Sequence, residues 1–314
     1  MSAETEQPDV LIDAAASADA AARKRSVWAR LLKNTSVVVG GVALIVMVLV
    51  ALTAPFLGTI DPIEFDPGNR NKRPRAEALH VDAEGNAFPW VFKMGTDTLG
   101  RDTYSRVIYG TQVSLAVGFT VAIFSILIGT AVGLIAGYIR WLDGLVMRVM
   151  DGMMAIPGIL LAIALVSLWS AGLDTVILAI TIPEVPRVVR LVRSIVLSIC
   201  EEPYVEAAIS VGTPTVLIML RHVLPNTVAP LIVQSNYIVA SAILLEAILS
   251  FLGVGIPPEI PTWGNIMAEG RVLFQVFPHN ILFPGIFLAV TVLAVNILGD
   301  GLRDTLDLRL EKRG

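Results

Sequence analysis

The sequence predicts an all-α integral membrane protein with six transmembrane helices. Three observations carry this. Hydrophobic residues make up 55% of 314 residues and charged residues only 16%, against roughly 25% charged in an average soluble domain. Mean hydropathy is +0.73. Several stretches of about 20 residues or more, the length a helix needs to cross a bilayer, carry no charge. A net charge of −4 gives no general attraction to nucleic acid, and a single cysteine, Cys200, excludes an intrachain disulfide.

Residues 1–30 are polar and Ala-rich and lack the apolar run of a signal peptide, so they read as a disordered tail. Residues 31–110 hold the first span, Val37–Leu57, and a long polar stretch. Residues 111–304 hold the remaining spans: Thr111–Tyr138, Gly152–Leu173, about Leu173–Leu197, His222–Pro258 and Asn280–Gly299. Residues 305–314 form a C-terminal tail. The span at 173–197 is the least regular. It carries Glu184, two prolines, and Arg187, Arg190 and Arg193 in one stripe. That stripe suits a span emerging at the cytoplasmic side with snorkelling arginines, or an interfacial or re-entrant helix. Ser125, Gly129, Gly133 and Gly137 recur every four residues, a small-residue stripe that admits a close helix neighbour or serves as a hinge.

Lys and Arg set the orientation. Arg23, Lys24, Arg25, Arg30 and Lys33 precede the first span, so the N-terminus is placed in the cytoplasm. With six spans, 15 of the 23 basic residues fall on that side and both termini lie there. Seven of the other eight fall in 58–106, among eight acids.

Enzyme chemistry leaves no mark. There is no Gly-Lys dipeptide, hence no Walker A loop, and no His-Glu-x-x-His or Gly-x-Ser-x-Gly pattern. His80, His222 and His279 are scattered, so neither a catalytic set nor a metal site is expected. Uphill transport would then draw on a partner or an ion gradient.

The polar interruption at Glu201–Pro225 is the most informative segment. Pro203 fits a first helical turn and Gly212 the position just past the end, with Glu201 and Glu202 at the positive helix terminus. The spacing predicts a helix of about nine residues, roughly 13 Å long. Val205, Ala208 and Ile209 share one face, and Glu202 and Glu206 another. Thr213-Pro214 opens a second helix, expected to end near Pro225. The small Ala207 and Ala208 would let a partner approach the backbone. An ordinary surface connection would also fit this local geometry.

Glu206-Ala207-Ala208, three residues, Gly212, then Pro225 resembles the EAA loop of ABC importer permeases. Arg221-His222-Val223-Leu224-Pro225-Asn226, with His222 where the wider family has an apolar residue, is similar to the C-type permeases of dipeptide, oligopeptide and nickel importers. So are Gly95-Thr96-Asp97-Thr98-Leu99-Gly100-Arg101-Asp102 with Ser105-Arg106, Asp143 through Met147-Arg148 to Asp151, Ala155 and Pro157, Glu246 with Leu249-Ser250-Phe251-Leu252-Gly253 and Trp263-Gly264, and Asn296 through Asp304. The resemblance covers about Trp28 to Arg309. Ser210 departs from an often basic position, and Glu184-Val185-Pro186-Arg187 from an aromatic and a small residue.

The resemblance implies the type I ABC importer permease fold in a bacterial cytoplasmic (inner) membrane. It implies a homologous B-type permease, two cytoplasmic ABC ATPase subunits and an extracytoplasmic binding protein as partners. ATP and Mg would sit on the ATPases, with no cofactor in this chain. Glu202, Tyr204, Glu206, Ala207, Ala208, Gly212, His222 and Pro225 would form the ATPase-coupling surface. The cargo would be di- or oligopeptides or a similar small solute, moved by alternating access. Glu184, Gln234, Asn236 and Glu246 are intramembrane polar residues that either line the path or bond between helices. Gly95, Asp97, Gly100, Arg101 and Asp102 form an extracytoplasmic motif, read as an ion-pair network ahead of the second span or as a contact for the binding protein. The alternative is an ion-driven secondary transporter, which would cluster acids at midplane and show inverted repeats. An intramembrane enzyme and a non-transporting scaffold complete the alternatives.

Overall fold

The computed structural model describes residues 29–82, 84–169 and 171–306. Most of the N-terminal tail, with Arg23, Lys24 and Arg25, and the tail from 307, with Arg309, Lys312 and Arg313, lie outside the described residues.

Helix α1 (Thr35–Leu52) opens on Asn34, whose side chain accepts from the Ser36 and Val37 amides. Asn34 Nδ2 also donates to the Gly301 carbonyl and Thr305 Oγ1, each at 3.3 Å, which fastens α1 to the far end of the last helix. A polar segment follows and holds an antiparallel hairpin, β1 (Ala76–Val81) with β2 (Ala87–Phe92), that the all-α expectation did not include. Asp82 and Asn86 close its turn. The hairpin escaped notice because neither strand alternates cleanly between apolar and polar residues.

Helix α2 (Thr103–Tyr138) has 36 residues, about 54 Å, so it overruns a hydrocarbon core of about 30 Å. Helices α3 (Arg140–Ala155) and α4 (Gly158–Leu168) meet at 92°. The single span expected at Gly152–Leu173 is therefore broken. Pro157 disfavours helix at Ile156, which is extended at φ −92°, ψ 128°. With 11 residues, α4 reaches only about 16 Å.

Helix α5 (Leu173–Cys200) runs unbroken through Pro183 and Pro186. After it come α6 (Pro203–Ser210), α7 (Thr215–Ile218), a π turn at Met219–Val223, α8 (Leu224–Phe251), α9 (Trp263–Gly270) and α10 (His279–Leu306). Among the described residues, four helical runs are long and apolar enough to cross a membrane: Thr35–Leu52, Thr103–Tyr138, Thr215–Phe251 and His279–Leu306. The bent α3–α4 pair makes a fifth if it counts as one crossing. The charges on α5 keep it out of that set, although its 28 residues would reach about 42 Å.

The core lies where α2, α5 and α8 meet, around Val117, Val121, Ile180, Val188, Val192, Ile238 and Ile243. The glycine stripe of α2 finds its partner there. A Cβ on Gly129, Gly133 or Gly137 would stand 2.5, 2.8 or 2.7 Å from the Cβ of Val188, Val192 or Val196. Both series step by four, so valines of α5 fill the notches left by glycines of α2.

Candidate functional site

The Glu201–Pro225 segment forms at the end of α5. Helix α6 starts on Glu202 with Pro203 in its first turn. It ends in a Schellman turn: the Thr213 amide donates to the Ala208 carbonyl at 3.1 Å and the Gly212 amide to the Ile209 carbonyl at 2.9 Å. Gly212 carries the left-handed φ of +83° that this turn requires.

Val205 is fully buried and anchors α6 to the bundle. Tyr204, Glu206, Ala207 and Ile209 are exposed, and Ala208 is half-buried. Ile209, expected beside Val205 on one face, instead points to solvent. Val211, Val216, Leu217 and Leu220 of the same loop are exposed as well. The Tyr204 and His222 rings sit 5.9 Å apart across the turn. Tyr138, the last residue of α2, meets Thr215 Oγ1 at 3.1 Å.

The second helix does not stop at Pro225. The Leu224 amide donates to the Met219 carbonyl, five residues back. This π turn widens the coil just before the proline, whose ring would otherwise meet the carbonyl of Arg221. The helix then continues to Phe251. A helix end inferred from proline alone missed this accommodation. The result is one short exposed helix, α6, held in series between two long ones.

The intramembrane polar residues separate into two groups. Glu246 is fully buried and accepts from Ser250 Oγ at 2.8 Å and Ser114 Oγ at 3.5 Å, joining α8 to α2. Glu184, also buried, accepts from Ser241 Oγ at 3.0 Å and pairs with Arg187 at 3.1 Å. Both acids are thus held by polar contacts between or along helices. Gln234 and Asn236 instead face open space. With Asn296, Asp300 and Arg303 they line a cavity of about 220 Å³ between α8 and α10. Gln234 and Arg303 also line an adjoining cavity of about 600 Å³.

The motif from Gly95 to Asp102 closes into a loop ahead of α2. Gly95 and Gly100 turn the chain at positive φ, and Thr96 bridges Asp102. Asp97 accepts from the Leu99 and Arg101 amides and from Arg101 Nε at 2.6 Å. Asp102 caps α2, accepting from the Ser105 amide at 2.9 Å and Ser105 Oγ at 2.6 Å. Arg101 also pairs with Glu269 of α9, as does Arg106 at 3.4 Å. Burial raises the Glu269 carboxyl, against two neighbouring guanidiniums that lower it. Sequence reading found the motif but not Glu269, which lies 168 residues from Arg101 and has no local signal.

The arginine stripe of α5 is also partnered. Arg187 turns to Glu184, Arg190 meets Asp151 at 2.5 Å, and Arg193 clasps Asp143 with Nη2 at 2.6 Å. Arg190 and Arg193 thus have protein partners on α3, which their spacing along α5 did not announce. Among the described residues, no group of His, Cys, Asp and Glu has the geometry of a metal site.

The family described as "binding-protein-dependent transport system inner membrane component" matches residues 125–312. The "N-terminal TM domain of oligopeptide transport permease C" matches 24–74. The chain is 48% identical to a probable peptide ABC transporter permease of Sinorhizobium fredii, over 90% of this chain and 91% of that protein. It is 40% identical to a dipeptide transport system permease of Alkalihalophilus pseudofirmus, over 91% and 90%. It is 38% identical to a glutathione transport system permease of Escherichia coli, over 90% of each. Inward-facing structures of the MetNI methionine ABC transporter share the fold, with a TM-score of 0.51 at 19% identity, over 63% of this chain and 95% of that one. This chain belongs to the binding-protein-dependent transport system inner membrane components, the permease subunits of ABC importers.

Proposed function

We propose that the chain is a C-type permease subunit that carries peptides or peptide-like solutes across the bacterial inner membrane. It pairs with a homologous B-type permease and with two cytoplasmic ATPases, which hold the ATP and Mg. An extracytoplasmic binding protein delivers the cargo. Six crossings are formed by α1, α2, the broken α3–α4 pair, α5, the run through α7 and α8, and α10. Both termini are cytoplasmic.

The observation that carries this reading is helix α6. It stands exposed, ends in a fixed turn, and joins α5 to the run through α7 and α8 with few residues between. Force applied to such a helix passes directly into two spans. Tyr204, Glu206, Ala207, Ile209 and Val211 are free to meet a partner surface. The relatives' names support the peptide cargo. Gln234 and Asn236, in the cavities beside α10, are the path residues of this reading, while Glu184 and Glu246 hold helices together.

The test is Glu206→Lys in the assembled importer, with ATPase association and peptide uptake measured together. Loss of both supports the coupling role. Normal uptake with normal ATPase binding removes it.

A further inference from the structure

Helix α3 has 16 residues and buries none of them. A helix usually holds its place through an apolar face packed on the core. The apolar face of α3, with Trp141, Leu145 and Val149, is instead exposed. Both its ends are hinge-like. Ile139 before it is extended at φ −95°, ψ 95°, and Ile156 after it at φ −92°, ψ 128°.

Charge holds α3 to the bundle. Arg193 clasps Asp143 with two nitrogens, and Arg190 meets Asp151 at 2.5 Å. The two acids are eight residues apart on α3, about 12 Å, whereas the arginines are three apart on α5, about 4.5 Å. The two guanidiniums therefore reach apart and grip α3 at two points along its length. Arg187, the third of the stripe, is engaged with Glu184 and the Tyr237 ring and does not compete.

The same α5 is locked to α2 by the glycine and valine notches, and it leads into α6 through Glu201 and Glu202 alone. A displacement of α6 is thus carried by α5. It reaches the hinged α3, and through the 92° bend the half-length α4, by way of the two ion pairs.

We propose that the Asp143–Arg193 and Asp151–Arg190 pairs are the linkage through which α6 moves the α3–α4 arm. All four are positioning residues, and the proposal rests on α6 being the coupling helix. Pairs this exposed are weak individually, which suits a joint that must adjust during a cycle.

The test uses the complete importer, with its ATPases, in a Cys200→Ser background. Nitroxide labels are placed at Gly144→Cys on α3, where nothing lies within 4 Å, and at Ile135→Cys on α2, half exposed. A second pair joins Ile135→Cys to Val211→Cys at the end of α6. Distances are read with and without ATP plus vanadate, so no cargo is needed. Trapping is expected to shift both distances in the parent protein. Asp143→Arg with Asp151→Arg should abolish the α3 shift and leave the α6 shift. The combined exchange with Arg193→Asp and Arg190→Asp should restore it. Asp143→Asn with Asp151→Asn, a change without reversal, should reduce the α3 shift.

An α3 shift that survives the reversals and the amide variants overturns the linkage. So does an α3 that stays still in the parent while α6 moves, and that result leaves the coupling role of α6 standing. If neither moves, the coupling reading fails first.

Discussion

Gly212 offers the sharpest test of the proposed coupling role of the 201–225 loop, because its backbone and its surroundings give separable expectations. Its φ of +83° lies in the left-handed region. A side chain there costs roughly 1–2 kcal/mol from contact between Cβ and the adjacent carbonyl. Yet a Cβ on Gly212 would find nothing within 4 Å. No neighbour would be displaced, so the whole cost is in the turn itself. A cost of 1–2 kcal/mol raises the population of the opened turn by roughly 5–30-fold. Helix α6 has only eight residues and one fully buried anchor, Val205, so it has little reserve against that shift. Asn tolerates this conformation better than Ala, and β-branched Val worst. The expected order for ATPase binding to the permease, and for ATP-driven uptake, is Gly, then Asn, then Ala, then Val. The assay is ATPase retention on the purified complex, alongside uptake into proteoliposomes. If Gly212→Val matched the parent in both, the turn would have no part in coupling. If Asn and Val lost equally, the loss would not follow φ and the argument from backbone geometry would fail.

Other positions give independent expectations. Gly133→Val should lower the thermal midpoint of the detergent-solubilised complex by an overpacking cost of about 1–3 kcal/mol, because its Cβ meets Val192 Cβ at 2.8 Å and the Val189 carbonyl at 2.9 Å. Adding Val192→Ala should return part of the loss. Glu246→Gln keeps an acceptor for one of Ser250 and Ser114 and can donate its NH2 to the other hydroxyl oxygen, so it should express near parent levels, whereas Glu246→Leu strands both hydroxyls and should lose about 1–3 kcal/mol in the same thermal assay. Glu269→Ala leaves Arg101 and Arg106 without one of their carboxylates and should cost about 3–5 kcal/mol, seen as poor recovery of the folded chain. A reporter fused at Ser210 should read as cytoplasmic. An external signal would remove either the sixth crossing or the orientation.

Much of this arrangement was legible because membrane helices obey a length rule and the 201–225 loop breaks it. The start of α6 at Pro203 and its close at Gly212 both follow from local chemistry, where a fixed φ begins a helix and a positive φ ends one. The glycine stripe announced a close neighbour. What the stripe could not announce was the identity of that neighbour, since Val188, Val192 and Val196 look like any apolar helix positions until α5 is laid against α2.

The departures from expectation have two causes: the first two lie in local backbone chemistry at a proline, and the third in a distant partner. Proline at 225 should end a helix, yet a π turn carries the chain past it into α8. An uncharged run from Gly152 to Leu173 should be one span, yet Pro157 bends it by 92°. The arginine stripe of α5 suited a snorkelling or an interfacial helix, and Arg190 and Arg193 pair with acids 39 and 50 residues earlier. In all three places the departure falls on the route from α6 to the membrane, and the well-behaved elements α1, α2 and α10 lie off it. A transporter has to contain segments that are not held by packing alone, because a bundle of fully packed straight spans would have nothing to move. Helix α3, which buries none of its residues, is where motion is physically cheapest. That is why the same residues resist simple sequence rules and form the candidate machinery for transport.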